Sequence, residues 1–355
     1  MTKFIFRAAL VAVVVLSVVA SINYYADPAN LFRTGIIDAY AENLAAGNIV
    51  RFVGDIDERL LQKRIIATLD ENKYNTYILG SSHVMYLPWQ YEDYYCAGVS
   101  GAMLEDDIAI FGMIEDKDSS IERIIIGVDP WLFLNETGEV RYKSIEKEYK
   151  AELEKISGEK KNDKEIFSII PPKCLELFSP AYLQSSVKSL IRHKGVGTLT
   201  VSKNAEPENI NKTMPNGRRI MSTSSYLHSI EENTDLILRS IATDTVYHMK
   251  KNDSLNPDRI KIFEQFIDYL LAKGIELQFY LPSWSPVFYD EFKSNPEYHY
   301  FTEMENYVVE FATTKKIHVH GTYDPSVLGI IMGDYTDFLH LQPEVAFRLY
   351  NTIVR

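Results

Sequence analysis

The chain has 355 residues, room for one large α/β domain with additions, and its 46% hydrophobic and 24% charged content excludes a disordered or fibrous protein. Lys+Arg total 37 against 49 Asp+Glu, a formal net charge of −12, which argues against nucleic acid as a partner because such binding needs a basic surface. The cysteines are Cys96 and Cys174, which excludes a disulfide framework and a cysteine-based zinc site and leaves their mutual pairing open.

The first predicted element is a membrane anchor over residues 1–25. Lys3 and Arg7 precede a charge-free run from Ala8 to Ile22, and Tyr24-Tyr25 follows it. With Phe4-Ile5-Phe6 the apolar stretch reaches about 20 residues, the length that crosses a bilayer core of about 30 Å. The rival reading is a cleaved signal peptide with Val18-Val19-Ala20 at the cleavage site. Both readings place the rest of the chain outside the cytoplasm, with the basic N-terminus inside.

Asp27-Pro28 ends the helix, and residues 26–73 read as a mostly helical, membrane-proximal connector. From Tyr74 to the C-terminus short apolar runs alternate with helical patterns. The runs are Thr76–Leu79, Tyr94–Ala97, Ile124–Ile126, Leu277–Leu281 and Ile317–His320. Helical stripes lie between and after them: Leu104, Ile108, Phe111 and Met113-Ile114; then Ile260, Phe263, Phe266-Ile267 and Leu270-Leu271; finally Val345-Ala346, Leu349-Tyr350 and Ile353. The pattern predicts a three-layer α/β/α domain over 74–355 with about five parallel strands, flavodoxin-like in plan.

More than a hundred residues separate the third and fourth runs, far beyond the dozen or so that a crossover requires. Residues at about 134–255 therefore form an insertion, a lid or an acceptor-binding element. Its charged part, Gly138–Glu165 with Lys160-Lys161, reads as a solvated helix or a mobile arm. Pro171–Lys194 reads as helical, and Met214-Pro215-Asn216-Gly217 as a turn.

Ligands of open α/β sheets bind beyond the carboxyl ends of the strands, and every predicted strand ends in a polar or glycine-rich cluster. These are Gly80-Ser81-Ser82-His83, Gly98-Val99-Ser100-Gly101, Gly127-Val128-Asp129-Pro130-Trp131, Pro282-Ser283-Trp284-Ser285 and Asp334 through His340. The set suits nucleophilic acyl transfer: Ser82 as nucleophile, His340 as base and Asp337 as its orienting carboxylate. Gly101 offers a backbone N–H that no side chain obstructs. Asp324 and Asp334 are reserve partners for His340.

The same blocks resemble the SGNH (GDSL-type) hydrolase superfamily. Gly80-Ser81-Ser82 stands at the family's Gly-Asp-Ser block. Cys96-Ala97-Gly98-Val99-Ser100-Gly101 is similar to its Asn-x-Gly-x-Ser-Gly turn, with Cys96 at the Asn place. Asp337-Phe338-Leu339-His340 matches its Asp-x-x-His block. The resemblance covers Tyr74–Phe133 and Gly274–Val354, and implies an oxyanion hole built from Ser82, Gly101 and the residue at position 129. The family carries Asn there, whose amide donates; this chain carries Asp129, and an ionised carboxylate only accepts. Trp131 or His83 would have to supply that donor.

The anchor and insertion look like a membrane-anchored branch that works beside membrane-bound O-acyltransferases. The implied function is an extracytoplasmic serine esterase or O-acyltransferase acting on a cell-envelope polysaccharide, with no metal or organic cofactor. Two alternatives stand beside it: a catalytically weak glycan-binding or assembly module, and a secreted esterase. Trp131 and Trp284 would stack on a sugar ring or wall the pocket. His318 and His320 share one strand face and read as strand residues rather than metal ligands. Arg218-Arg219 reads as a solvated turn, with binding of an acidic glycan group as the alternative. Cys96 reads as a small buried apolar residue.

Overall fold

The computed structural model describes residues 2–87, 92–135, 137–159, 172–193, 197–203, 211–220 and 229–351. Lys160-Lys161, the end of the charged stretch at Glu165, the ends of the helical stretch at Pro171 and Lys194, and Ile353 lie outside the described residues.

In chain order the elements are α1 (Thr2–Ala26), α2 (Gly35–Ala45), β1 (Ile49–Val53), α3 (Glu58–Thr68), β2 (Thr76–Leu79), β3 (Tyr94–Cys96), α4 (Leu104–Lys117) and β4 (Arg123–Gly127). The inserted region holds α5 (Glu146–Ser157), α6 (Pro172–Glu176), α7 (Pro180–His193), β5 (Thr198–Ser202), β6 (Lys212–Thr213), β7 (Arg219–Ile220) and α8 (Ile230–Thr243). Then come α9 (Pro257–Ala272), β8 (Glu276–Leu281), α10 (Pro286–Ser294), α11 (Tyr300–Lys315), β9 (His318–Gly321) and α12 (Pro343–Tyr350).

The five apolar runs form one parallel sheet in the order β3-β2-β4-β8-β9. This is a doubly wound order, with the first of its strands second from one edge. Alternation along the strands sorts the core into two layers. Tyr77, Leu79, Ile124, Ile126, Leu277, Phe279 and Val319 pack in one cluster with the apolar stripes of α4, α9 and α11. Ile78, Cys96, Ile125 and Tyr280 face the other way, against the turn after β2 and Val345, Ala346, Leu349 and Tyr350 of α12.

Local chemistry sets the helix ends. The Asp57 carboxylate accepts from the N–H groups of Arg59 and Leu60 and starts α3. Asn256 does the same for α9, whose first residue is Pro257, and Gly274 follows its end at φ +78°. Pro343 opens α12.

α1 carries a 24-residue span from Lys3 to Ala26 whose most apolar 18-residue window has mean hydropathy 2.5 and is not buried against the protein. By length and composition it can cross a membrane. Its last turn is built into the fold. The Asn23 amide donates to the carbonyls of Glu176, Leu177 and Ser179, and the Asp27 carboxylate accepts from the Tyr182 hydroxyl and the N–H groups of Leu31, Phe32 and Arg33.

Two expectations are corrected. The connector is not mostly helical: after the Ala46-Gly47 turn, Ile-Val-Arg-Phe-Val extends into β1, as a β-branched and aromatic run prefers. β1 pairs antiparallel with β5 and β6, and β6 with β7, so connector and insertion share a four-stranded sheet. Of the two readings of the charged stretch, the helix holds where the stretch is described, as α5, but it is packed rather than fully solvated. α5 buries Leu153 and Glu152, and the missing side chain of Gly112 on α4 leaves room for Glu152.

The Met214–Gly217 turn joins β6 to β7, with the N–H of Gly217 donating to the Met214 carbonyl. Its tip docks on the edge strand of the parallel sheet: the Asn216 carbonyl accepts from Cys96 N–H, and the Pro215 carbonyl from the Tyr74 hydroxyl. The hairpin thus covers backbone that an edge strand would otherwise leave open.

Candidate active site

Ser82 stands one turn beyond β2. Gly80 makes that turn at φ +132°, where a Cβ would lie 3.1 Å from the Gly127 backbone at the end of β4. Ser81 is engaged locally, its hydroxyl accepting from the His83 N–H and capping the short helix Ser82–Val84. The Ser82 hydroxyl instead lies 2.7 Å from Nε2 of His340.

His340 comes from a tight turn before α12. Its carbonyl accepts from the N–H and hydroxyl of Thr336, and Tyr335 bridges to Leu341. Asp337 sits at the turn's centre. Its Oδ1 accepts from the N–H groups of Leu339 and His340, and its Oδ2 lies 2.8 Å from His340 Nδ1. Burial works to raise the Asp337 carboxyl, but the His340 ring and the two N–H groups outweigh it and hold it below the usual carboxylate range. An ionised Asp337 fixes Nδ1 as the protonated nitrogen, which leaves Nε2 to accept from Ser82. The reserve carboxylates are engaged elsewhere: Asp324 accepts from Ser326, and Asp334 from the Ile331 N–H.

Gly101 ends the turn after β3 at φ +58°, beneath Arg141 and the Tyr247 hydroxyl, which leave no space for a Cβ. Arg59 holds this turn from behind. Its guanidinium forms a buried two-point bridge to Asp106 and donates to the carbonyls of Ser100 (2.9 Å) and Gly101 (3.2 Å). In a trans peptide the carbonyl and the following N–H point in opposite directions. Fixing the Ser100 carbonyl on Arg59 therefore aims the Gly101 N–H away from it. Among the described residues no group accepts from the N–H of Ser82 or of Gly101.

Ser82, Gly101 and His340 open on a cavity of about 530 Å³, whose far wall comes from the connector and the insertion. Tyr40, Glu58, Arg141, Thr213, Arg219 and Tyr247 line it. Glu58 pairs with Arg219 and accepts from the N–H and hydroxyl of Ser100. Burial opposes the Glu58 charge, yet Arg219 and Ser100 overcome it and hold the carboxyl at about 2. Burial pushes the Tyr247 phenol up to about 12, so its hydroxyl stays a proton donor.

Other sequence candidates lie elsewhere. Asp129 does not face the cavity. It is 1% exposed, and its Oδ1 lies 2.8 Å from Nδ1 of His83. The expected sugar-stacking role of Trp131 and Trp284 is corrected: they are 1% and 2% exposed and pack around His83. The Trp131 N–H donates to the Ala102 carbonyl, and its ring stacks on Tyr247 at 3.9 Å, so that N–H is not free for an oxyanion. Arg219 is not a solvated turn residue but part of the cavity wall. His320 bonds to Gln278 and packs on Tyr350. Cys96 and Cys174 are free thiols, and burial pushes Cys96 up to about 11.

Sequence reading missed Glu58, Arg59, Arg141 and Tyr247. Glu58 and Arg59 look like the ordinary charged first turn of α3, and nothing local ties them to residues 100–106.

No protein-family model matches this chain, and no curated protein or solved structure matches it.

Proposed function

We propose that the chain is a membrane-anchored, extracytoplasmic serine acyltransferase or esterase of the SGNH type, acting on O-acyl groups of a cell-envelope glycan. One observation carries the proposal: Ser82, His340 and Asp337 form a continuous hydrogen-bonded chain that opens on a polar cavity.

Ser82 Oγ attacks the ester carbonyl carbon as its proton passes to Nε2 of His340, while Asp337 stabilises the resulting imidazolium. The oxyanion faces the N–H groups of Ser82 and Gly101. Collapse breaks the bond to the alcohol oxygen, which takes the proton from His340, and leaves the acyl group on Ser82. An acceptor hydroxyl, or water, gives its proton to His340 and attacks that acyl group, and Ser82 recovers the proton. Transfer and hydrolysis differ only in the acceptor.

The capture of Asn23 and Asp27 by the insertion supports an α1 that stays attached and serves as the anchor. The resemblance of the sequence blocks supports a membrane-bound O-acyltransferase as partner and an envelope polysaccharide as acceptor.

The alternative of a weakly active glycan-binding or assembly module is favoured by Asp129, which supplies no side-chain donor. Release of acetate from an acetylated glucoside by the full chain, lost in Ser82→Ala, tests the proposal. Equal release by both proteins would refute it.

A further inference from the structure

A second cavity of about 320 Å³ adjoins the first. The two share Ile56, Glu58, Ser100 and Arg141 as a common wall, and the second ends at Pro28 and Ala29. Those residues directly follow the last turn of α1. Their position is fixed, because Asp27 gathers the N–H groups of Leu31, Phe32 and Arg33, and the Ala29 N–H donates to Tyr182. The 24-residue span rises about 36 Å, a little more than a bilayer core, which puts Tyr24, Tyr25 and Pro28 at headgroup level. Tyr24 and Tyr25 are exposed there, as are Leu175 and Phe178 of the segment bonded to Asn23.

We infer that the groove takes a membrane-resident amphiphile. Its sugar or acyl head reaches Ser82 past Ile56 and Glu58, while its apolar tail stays in the outer leaflet beside α1. This deepens the proposed function and rests on it. A soluble substrate needs only the 530 Å³ cavity; a groove continued to the foot of the anchor suits a substrate held at the same depth. The charged and polar walls at Asp57, Glu58, Arg59 and Arg141 suit the hydroxyl groups of a head, and the apolar groups at Ala29 and Ile56 suit the start of a chain.

The test uses the full chain in phosphatidylcholine vesicles with two esters of one acyl group, acetylated methyl glucoside in solution and acetylated octadecyl glucoside in the bilayer. The readout is the ratio of their initial rates. Ala29→Trp, which fills the second cavity and leaves the first unaltered, is expected to lower the lipid-to-soluble ratio by about 10-fold or more. Where Ala29→Trp loses its thermal transition, Ala29→Leu is read instead, with a smaller drop of the same sign. A chain that cleaves the soluble ester but shows an unmoved ratio in every folded variant overturns this inference alone. A chain inert on both esters overturns the proposed function and this inference with it.

Discussion

Asp129 turns its carboxylate to the imidazole of His83, Oδ1 to Nδ1 at 2.8 Å, and the same His83 ring lies 5.4 Å from that of His340. A second histidine–aspartate pair thus stands behind the one that faces Ser82. His83 lines a small cavity with His340, Ser283 and Tyr280, and neither member of the pair lines the large groove.

The first prediction follows from that placement. A carboxylate at the oxyanion position would oppose developing charge, and Asp129→Asn would then speed ester hydrolysis. Asp129 held on His83 predicts otherwise: Asp129→Asn leaves the rate level or lower, and Asp129→Ala destabilises by roughly 1–3 kcal/mol by orphaning the buried His83 nitrogen. Initial rates and thermal midpoints of the two variants check this. A clear gain of rate in Asp129→Asn would place the carboxylate at the oxyanion after all.

Arg59 offers a second test, since it touches no reacting atom and acts through the Ser100-Gly101 turn. Arg59→Lys keeps a charge near Asp106 but cannot reach both carbonyls and the carboxylate at once. The variant is expected to lose kcat with little change in KM, because the Gly101 N–H matters chiefly in the transition state. Loss of one oxyanion donor costs about 10²–10³ in rate, which bounds the effect. A change in KM alone would assign Arg59 to substrate binding.

Acid stability tests Glu58. Its folded value of about 2 lies below the usual carboxylate value, so its ionised form stabilises the fold. That contribution is complete above the unfolded value and disappears as pH falls through the folded one, a window from about pH 5 to about pH 2. Its full size is roughly 3 kcal/mol at about 1.4 kcal/mol per unit. Glu58→Gln should therefore be less stable than wild type at about pH 6 and close to it at about pH 2.5. Thermal midpoints across that range give the comparison. A gap independent of pH would show that Glu58 acts through shape instead of charge.

The parallel sheet was legible because each strand is a short apolar run closed by Gly or Pro, and each helix stripe has a period that packing preserves. Ser82, Gly101, Asp337 and His340 could be named because the chain order of strand ends maps onto one edge of such a sheet. β1 was not legible, since five residues amid a helical connector carry too little pattern and its partners β5 and β6 lie some 150 residues away. The aim of Asp129 and Trp131 was hidden for a related reason: both follow a strand end, yet local sequence does not say that His83 and Ala102 will meet them. Arg59 was hidden most thoroughly, because its partners Ser100, Gly101 and Asp106 are joined to it only by tertiary packing.

The central claim is that Ser82 is a nucleophile activated by His340, and labelling by a fluorophosphonate probe followed by peptide mass spectrometry reads it directly. The adduct is expected on Ser82 of the full chain, to vanish in Ser82→Ala, to form about 10³-fold more slowly in His340→Ala, and to persist in Ser81→Ala. An adduct on Ser81, or none above the background of heat-denatured protein, would contradict it.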